Sequence, residues 1–177
     1  MQLVKDLMIP LEAYTRVPEG ASLYDAVKAL EKALTGPAAD PARPTDRAVL
    51  VQARDGRVLG KLSLWDVLRG LEPRYDVPGG PLVVIDEYFT WTHAMFANIA
   101  EKARAIAAKD MLRGHTREEM IDENAPLDQA VHQLVHGKLL SLLVTRDERI
   151  VGVLRLSDVF AAISTLLDAA KAQPAPA

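Results

Sequence analysis

The sequence predicts an α/β (α+β) protein made of two β-α-β-β-α repeats packed as a pseudo-two-fold pair. Two internal matches and one loop between them carry that prediction. Shifted by 104 positions, Val17–Leu30 falls on Ile121–Leu134 with six of fourteen pairs identical, and Lys5-Asp6 falls on Lys109-Asp110. Shifted by 92, Arg54–Leu68 falls on Arg146–Phe160 with eight of fifteen pairs identical. The offset drops by twelve between the blocks, so the first copy carries an insertion between Glu31 and Arg47, where TGPAADPARP has the composition of a loop. Matching blocks in the same order are the signature of a duplicated unit.

Each element follows from local pattern. Leu23, Ala26, Val27, Leu30 and Leu34 recur at helical spacing, and Ser22 with Asp25 supplies an N-cap pair. Pro126 stands where Ser22 does and also suits a helix start. Ala48–Ala53 and Val58–Leu62 read as two strands joined by a tight turn at Arg54–Arg57, with a helix from about Ser63 to Leu71. The second copy repeats this as Leu140–Thr145, a turn at Arg146–Arg149, Ile150–Leu154, and a helix from Leu156 to about Leu167. The expected organisation is a first repeat over 1–73 with its loop insertion at about 32–46, a linker over 74–105, a second repeat over 106–168 and a disordered tail over 169–177. The linker gathers Tyr88, Phe89, Trp91 and Phe96, and a helix with Met95, Ile99, Ala103 and Ile106 on one face is expected in its second half. Those aromatics either cover an open face of the core or serve self-association.

Composition narrows the function classes. The 177 residues carry a net charge of −3, which argues against a nucleic-acid binder with a basic face. With no cysteine, disulfides, thiolate zinc sites and cysteine nucleophiles are excluded. No apolar run is long enough to span a bilayer and the N-terminus lacks a signal-peptide core, so a cytoplasmic protein without membrane insertion is expected. No nucleophile elbow, P-loop or dinucleotide fingerprint is present, and no enzyme is expected. His132 and His136 stand at i, i+4, but with no third ligand nearby they read as a solvated helix face rather than a metal site.

VKDLMIP, SLYDAVKAL and DGRVLGKLSLWDVL in the first copy, with AKDML, APLDQAVHQL and DERIVGVLRLSDVF in the second, resemble the cystathionine-β-synthase (CBS) domain, which occurs in tandem as the Bateman module. The family's ending is a Gly, two apolar residues, a Ser or Thr, and an Asp three positions later. Gly60, Ser63 and Asp66 match it; Gly152 and Asp158 do, but Arg155 replaces the hydroxyl. The resemblance implies a regulatory module that holds an adenosine-type ligand between its repeats: AMP, ADP, ATP or S-adenosylmethionine, with Mg²⁺ able to accompany a phosphate. Asp66 would take the ribose hydroxyls, Ser63 and free backbone N–H groups a phosphate, and Ile9, Pro10, Thr15, Arg16 and Val17 the purine. Gly60, Lys61, Leu62, Met120, Ile121 and Gly152 complete the expected ligand-binding set, with Arg155 and Asp158 at the second site. Arg155 either clamps a phosphate or fills the cleft against an acidic neighbour. Ser63 and Asp66 also read as a helix cap that needs no ligand. The resemblance further implies a homodimer and signalling through an effector protein. The rival reading is a constitutive interaction scaffold with empty or occluded clefts.

Overall fold

The computed structural model describes residues 2–35, 47–72, 96–112 and 117–171. In the first repeat, β2 (Arg16–Pro18) runs parallel to β3 (Ala48–Gln52), which pairs antiparallel with β4 (Val58–Ser63), giving a three-stranded sheet ordered β2-β3-β4. α1 (Leu23–Thr35) and α2 (Leu64–Leu71) complete it. In the second repeat, β5 (Met120–Asp122), β6 (Ser141–Arg146) and β7 (Arg149–Arg155) pair in the same way, with α4 (Leu127–Gly137) and α5 (Leu156–Lys171). The mixed α/β class, and the repeated β-α-β-β-α unit, are therefore as expected. The linker contributes α3 (Ile99–Ala105), whose Arg104 guanidinium stacks 4.2 Å over the Tyr24 ring of α1.

The central strands show why the two copies need each other. Side chains alternate along a strand, so Val49 and Val51 of β3 face Leu23, Ala26 and Leu30 of α1, while Leu50 turns the other way. Leu50 meets Tyr14, Leu143 of β6 and Val153 of β7 in a core layer shared by both repeats. β6 mirrors this, with Leu142 and Val144 under α4 and Leu143 in the shared layer. Both faces of each sheet are covered, and the sequence runs AVLV and LLV are accordingly unbroken by polar residues.

The chain also exchanges a segment in each direction. β1 (Ile9–Pro10) leaves the first repeat and extends the second sheet to the order β1-β7-β6-β5, with Ile9 opposite Val153 and Pro10 opposite Gly152. Just before it, Val4 enters the second core, its N–H donating to the Ala125 carbonyl at 3.0 Å. The reverse exchange is related by the same offset of 104. Ala108 enters the first core, its N–H donating to Ala21 at 3.0 Å, and Met111 and Leu112 pack behind it. Leu23 N–H to the Ile106 carbonyl and Leu127 N–H to the Gln2 carbonyl form another matched pair.

Two details depart from the sequence reading. Ala48 faces Ser63 as Ser141 faces Arg155, so one of the twelve extra residues of the first copy lies in the β3–β4 hairpin rather than in the loop before it. The shorter hairpin turns through Asp147 and Glu148, both at positive φ, a two-residue connection that matches strand twist. α5 runs on to Lys171, into the stretch expected to be a disordered tail, because LLDAAK is strong helix-forming sequence. Met95, Tyr88, Phe89 and Trp91 fall outside the described residues; Phe96 is exposed.

The two motif glycines receive the exchanged segments. A Cβ on Gly152 would stand 2.5 Å from the Ile9 carbonyl oxygen of β1, and one on Gly60 would stand 2.8 Å from a Leu112 methyl. A carbonyl in a ladder cannot yield as a leucine rotamer can. Gly152→Ala is thus expected to lower stability by about 2–3 kcal/mol, and Gly60→Ala by less. Gly20→Ala, with nothing within 4 Å of the added methyl, serves as the neutral control. Urea unfolding of the three variants checks the order.

Candidate functional site

The site is built where β4 turns into α2. Ser63 keeps extended backbone as the N-cap, and its hydroxyl accepts from the Asp66 N–H at 3.3 Å. Asp66 Oδ2 in return accepts from the Ser63 N–H at 2.9 Å and hydroxyl at 2.6 Å, a reciprocal capping box. Arg69, one turn along, donates from Nη2 to Asp66 Oδ1 at 2.9 Å and to the Met111 carbonyl at 3.2 Å. Asp66 is therefore a buried carboxylate held in place by its own helix and by the exchanged segment.

Lys61, two residues before the cap, lies opposite Leu50 in the β3–β4 register and so points toward the second repeat. Its Nζ donates to the Ser141 carbonyl and hydroxyl, each at 3.0 Å. The matching position in the second copy is Val153, fully buried in the shared apolar layer. A lysine thus occupies a core-facing position. Burial pulls its pKa below the ordinary lysine value, against the opposing influence of the Glu119 and Asp66 carboxylates.

These groups open on a cavity of about 870 Å³ between the repeats. The first repeat contributes Arg47, Lys61, Ser63, Trp65, Asp66 and Arg69; the second contributes Glu119, Leu139–Ser141, Arg155 and Ser157. Among the described lining residues five are basic (Arg47, Lys61, Arg69, Lys138 and Arg155) and three acidic (Asp66, Glu72 and Glu119). The cavity pairs an apolar rim at Trp65 and Leu68 with cations from both repeats, as a site for an aromatic anion would.

The second motif is arranged differently. Arg155 grips Asp158 with both arms, Nε to Oδ2 at 2.6 Å and Nη2 to Oδ1 at 2.8 Å, and both side chains are nearly buried. The guanidinium thus occupies the carboxylate that the resemblance assigns to a ribose. Of the two readings of Arg155, the structure shows the acidic neighbour.

Lys61, Ser63, Asp66 and Arg155 come together on one cavity; the other expected residues lie elsewhere. Leu62 and Ile121 are buried in the cores of their own repeats, and Gly60 and Gly152 sit beneath the exchanged segments. Ile9 and Met120 pack against the shared layer, with Pro10 beside Ile9 on the sheet edge. The Thr15 carbonyl accepts from the Leu50 N–H at 3.0 Å. Arg16 and Val17 line a separate groove. Sequence reasoning missed Tyr14, Arg47, Trp65, Arg69, Glu119 and Leu139–Ser141. The i, i+3 spacing of Asp66 and Arg69 was an available signal; the others depend on how the repeats face each other. His132 and His136 are exposed on α4 with ring centroids 4.1 Å apart, and the described residues contain no cluster of three or more metal-ligating side chains. No helix among them is long and apolar enough to cross a membrane.

A family model for the CBS domain matches residues 105–165, and the chain as a whole has the fold of a tandem CBS-domain pair. Solved structures carry the second statement. CBSX2 in complex with AMP is 16% identical with a TM-score of 0.63, over 94% of this chain and 99% of that one. A putative acetoin utilization protein (AcuB) from Vibrio cholerae is 18% identical with a TM-score of 0.62, over 98% and 99%. The CBS domain of a bacterial CNNM/CorC family Mg²⁺ transporter in complex with ATP is 14% identical with a TM-score of 0.61, over 92% and 87%. No curated protein matches the chain.

The Arg155–Asp158 pair has a measurable consequence. Removing one partner leaves a buried charge, so Arg155→Met or Asp158→Leu alone is expected to cost about 3–5 kcal/mol, while the double variant costs far less. A double-mutant cycle by chemical denaturation checks this, and additive losses would contradict it.

Proposed function

We propose that the protein is a regulatory module that binds an adenine nucleotide in the cavity between its two repeats and transmits occupancy as a change in their relative geometry. The observation that carries this reading is the junction of Ser63, Asp66 and the cross-repeat Lys61 on one cavity of nucleotide size. A carboxylate at the head of α2 suits vicinal ribose hydroxyls, and the cations suit phosphate. That relatives of this fold are solved with AMP and with ATP supports the ligand class. AMP, ADP and ATP are the principal candidates; S-adenosylmethionine, which lacks the phosphate, fits the cations less well, and Mg²⁺ would enter with a triphosphate. The same fold supports a non-catalytic role in which an effector protein receives the signal. A soluble, cytoplasmic setting is part of this reading.

A second reading, a scaffold with occluded clefts, draws on the Arg155–Asp158 pair, which fills one half-site from within. Thermal unfolding separates the two. Nucleotide at a hundred times its dissociation constant adds about 2.7 kcal/mol of stability by mass action, so a saturable rise in melting temperature is expected with AMP, ADP or ATP. Asp66→Asn is expected to abolish the rise, whereas Asp158→Asn leaves it in place. No rise with any nucleotide would favour the scaffold.

The lysine adds a pH signature. Its folded-state pKa lies below 10.5, so between that depressed value and 10.5 the unfolded chain binds more protons and the free protein gains stability as pH rises. Binding to phosphate needs the charged amine. Nucleotide affinity is thus expected to fall with rising pH in the alkaline range, below the ordinary lysine value, and Lys61→Met is expected to remove that dependence. Calorimetric titration across pH measures it; an unchanged profile in the variant would contradict the role.

Self-association is proposed through the outer faces of α2 and α5. Leu64, Trp65 and Leu68 on α2 are exposed, as are Leu156, Phe160, Ile163 and Leu167 at helical spacing on α5. Two such stripes at matched positions suit a second copy of the chain. Sedimentation equilibrium is expected to show a dimer that Phe160→Glu converts to monomer.

A further inference from the structure

The repeats differ at their outer ends, away from the inter-repeat cavity. In the second repeat, the buried Glu123 is gripped by Arg146, Nε to Oε1 at 2.5 Å and Nη2 to Oε2 at 2.7 Å, with Lys5 of the exchanged segment beside them. The same three residue types recur in the first repeat as Glu19, Arg54 and Lys109, at the offsets that relate the copies. There the ion pair is open: Arg54 Nε stands 3.7 Å from Glu19, and its side chain is 96% exposed. The extra hairpin residue shifts Arg54 relative to its counterpart, and the turn is fixed by Gln52 donating to the Gly56 carbonyl at 2.7 Å.

Beside the open pair the first repeat holds a groove of about 850 Å³ lined by Arg16, Glu19, Gln52, Arg54 and Lys109, with the buried Tyr14 at its inner wall. Arg16 adds a charge where the second repeat has Met120, and its Nη2 donates to the Glu12 carbonyl at 3.4 Å. Among the described lining residues, three cations face one carboxylate. One repeat has therefore both gained a cation and loosened the pair that would neutralise the others. We infer that this groove binds a small phosphate dianion, either inorganic phosphate or the phosphoryl group of a phosphomonoester. The two guanidiniums offer planar forks and Lys109 a compact charge, the combination that suits phosphate oxygens. Displacing the Arg54–Glu19 contact costs little, because so exposed a pair contributes little. This inference does not depend on nucleotide binding in the inter-repeat cavity.

The test is an amide NMR titration of the full chain with sodium phosphate and, separately, glycerol phosphate, at ionic strength held constant with chloride. Saturable shifts at Glu19, Gln52, Arg54 and Lys109 are expected, with a dissociation constant on the order of 1 mM. Equal response to both compounds assigns the site to the free dianion; a tighter response to glycerol phosphate assigns it to a phosphomonoester. Arg16→Met, which installs the second repeat's residue, and Lys109→Met are each expected to weaken binding about tenfold, with the remaining spectrum preserved. The inference is overturned if no saturable shift occurs, if the shifts cluster around Ser63 and Asp66 instead, or if both variants bind as the parent does.

Discussion

The layer formed by Leu50, Tyr14, Leu143 and Val153 is the constraint on which the rest of the structure depends. Each sheet has one face on its own helices and the other on this layer, so neither repeat can cover its apolar surface alone. The exchanged segments reinforce it: Val4 completes the core of the second repeat and Ala108 that of the first, each with a matched backbone hydrogen bond. Separating the repeats would open the shared layer and extract both segments. Relative motion of the repeats is therefore confined to small adjustments around the layer.

That confinement is what makes the position of Lys61 consequential. A partly buried ammonium beside an apolar layer is costly unless it is paired or hydrogen-bonded. Here it is held by Ser141, across the boundary, while its copy in the second repeat is an ordinary valine. An anion bound in the cavity as proposed would compete with Ser141 for the same donors, and the contact it would disturb is one that joins the repeats. A ligand acts on an equilibrium only through its different affinity for the two states, and a cross-repeat hydrogen bond in the site supplies such a difference. Duplication followed by divergence has left one motif with its Ser63 and Asp66 lining the cavity and the other with its Asp158 gripped by Arg155.

Much of the fold was legible because its determinants are local. The repeated blocks, the Ser22–Asp25 and Ser63–Asp66 caps and the short apolar strand runs predict elements that form as expected, and the cap hydrogen bonds are present. The exchange of Val4 and Ala108 was not, since a matched Lys-Asp pair shows that two segments are equivalent but not which sheet each joins. The glycines illustrate the same limit: Gly152 reads as a motif residue, yet its missing side chain makes room for the Ile9 carbonyl. In the site, Ser63, Asp66 and Arg155 carried a sequence signal, whereas Leu139–Ser141 and Glu119 reach the cavity only through repeat packing. Arg16 and Val17, expected around a purine, lie on β2 and line a separate groove instead.

The most direct test of the central claim is hydrogen–deuterium exchange of the full chain with and without AMP. Slowed exchange is expected in two stretches at once, residues 61–66 at the head of α2 and residues 138–141 across the boundary, because one ligand would contact both repeats. Protection confined to a single repeat, or none under conditions where AMP is shown to bind, would contradict a site built between them.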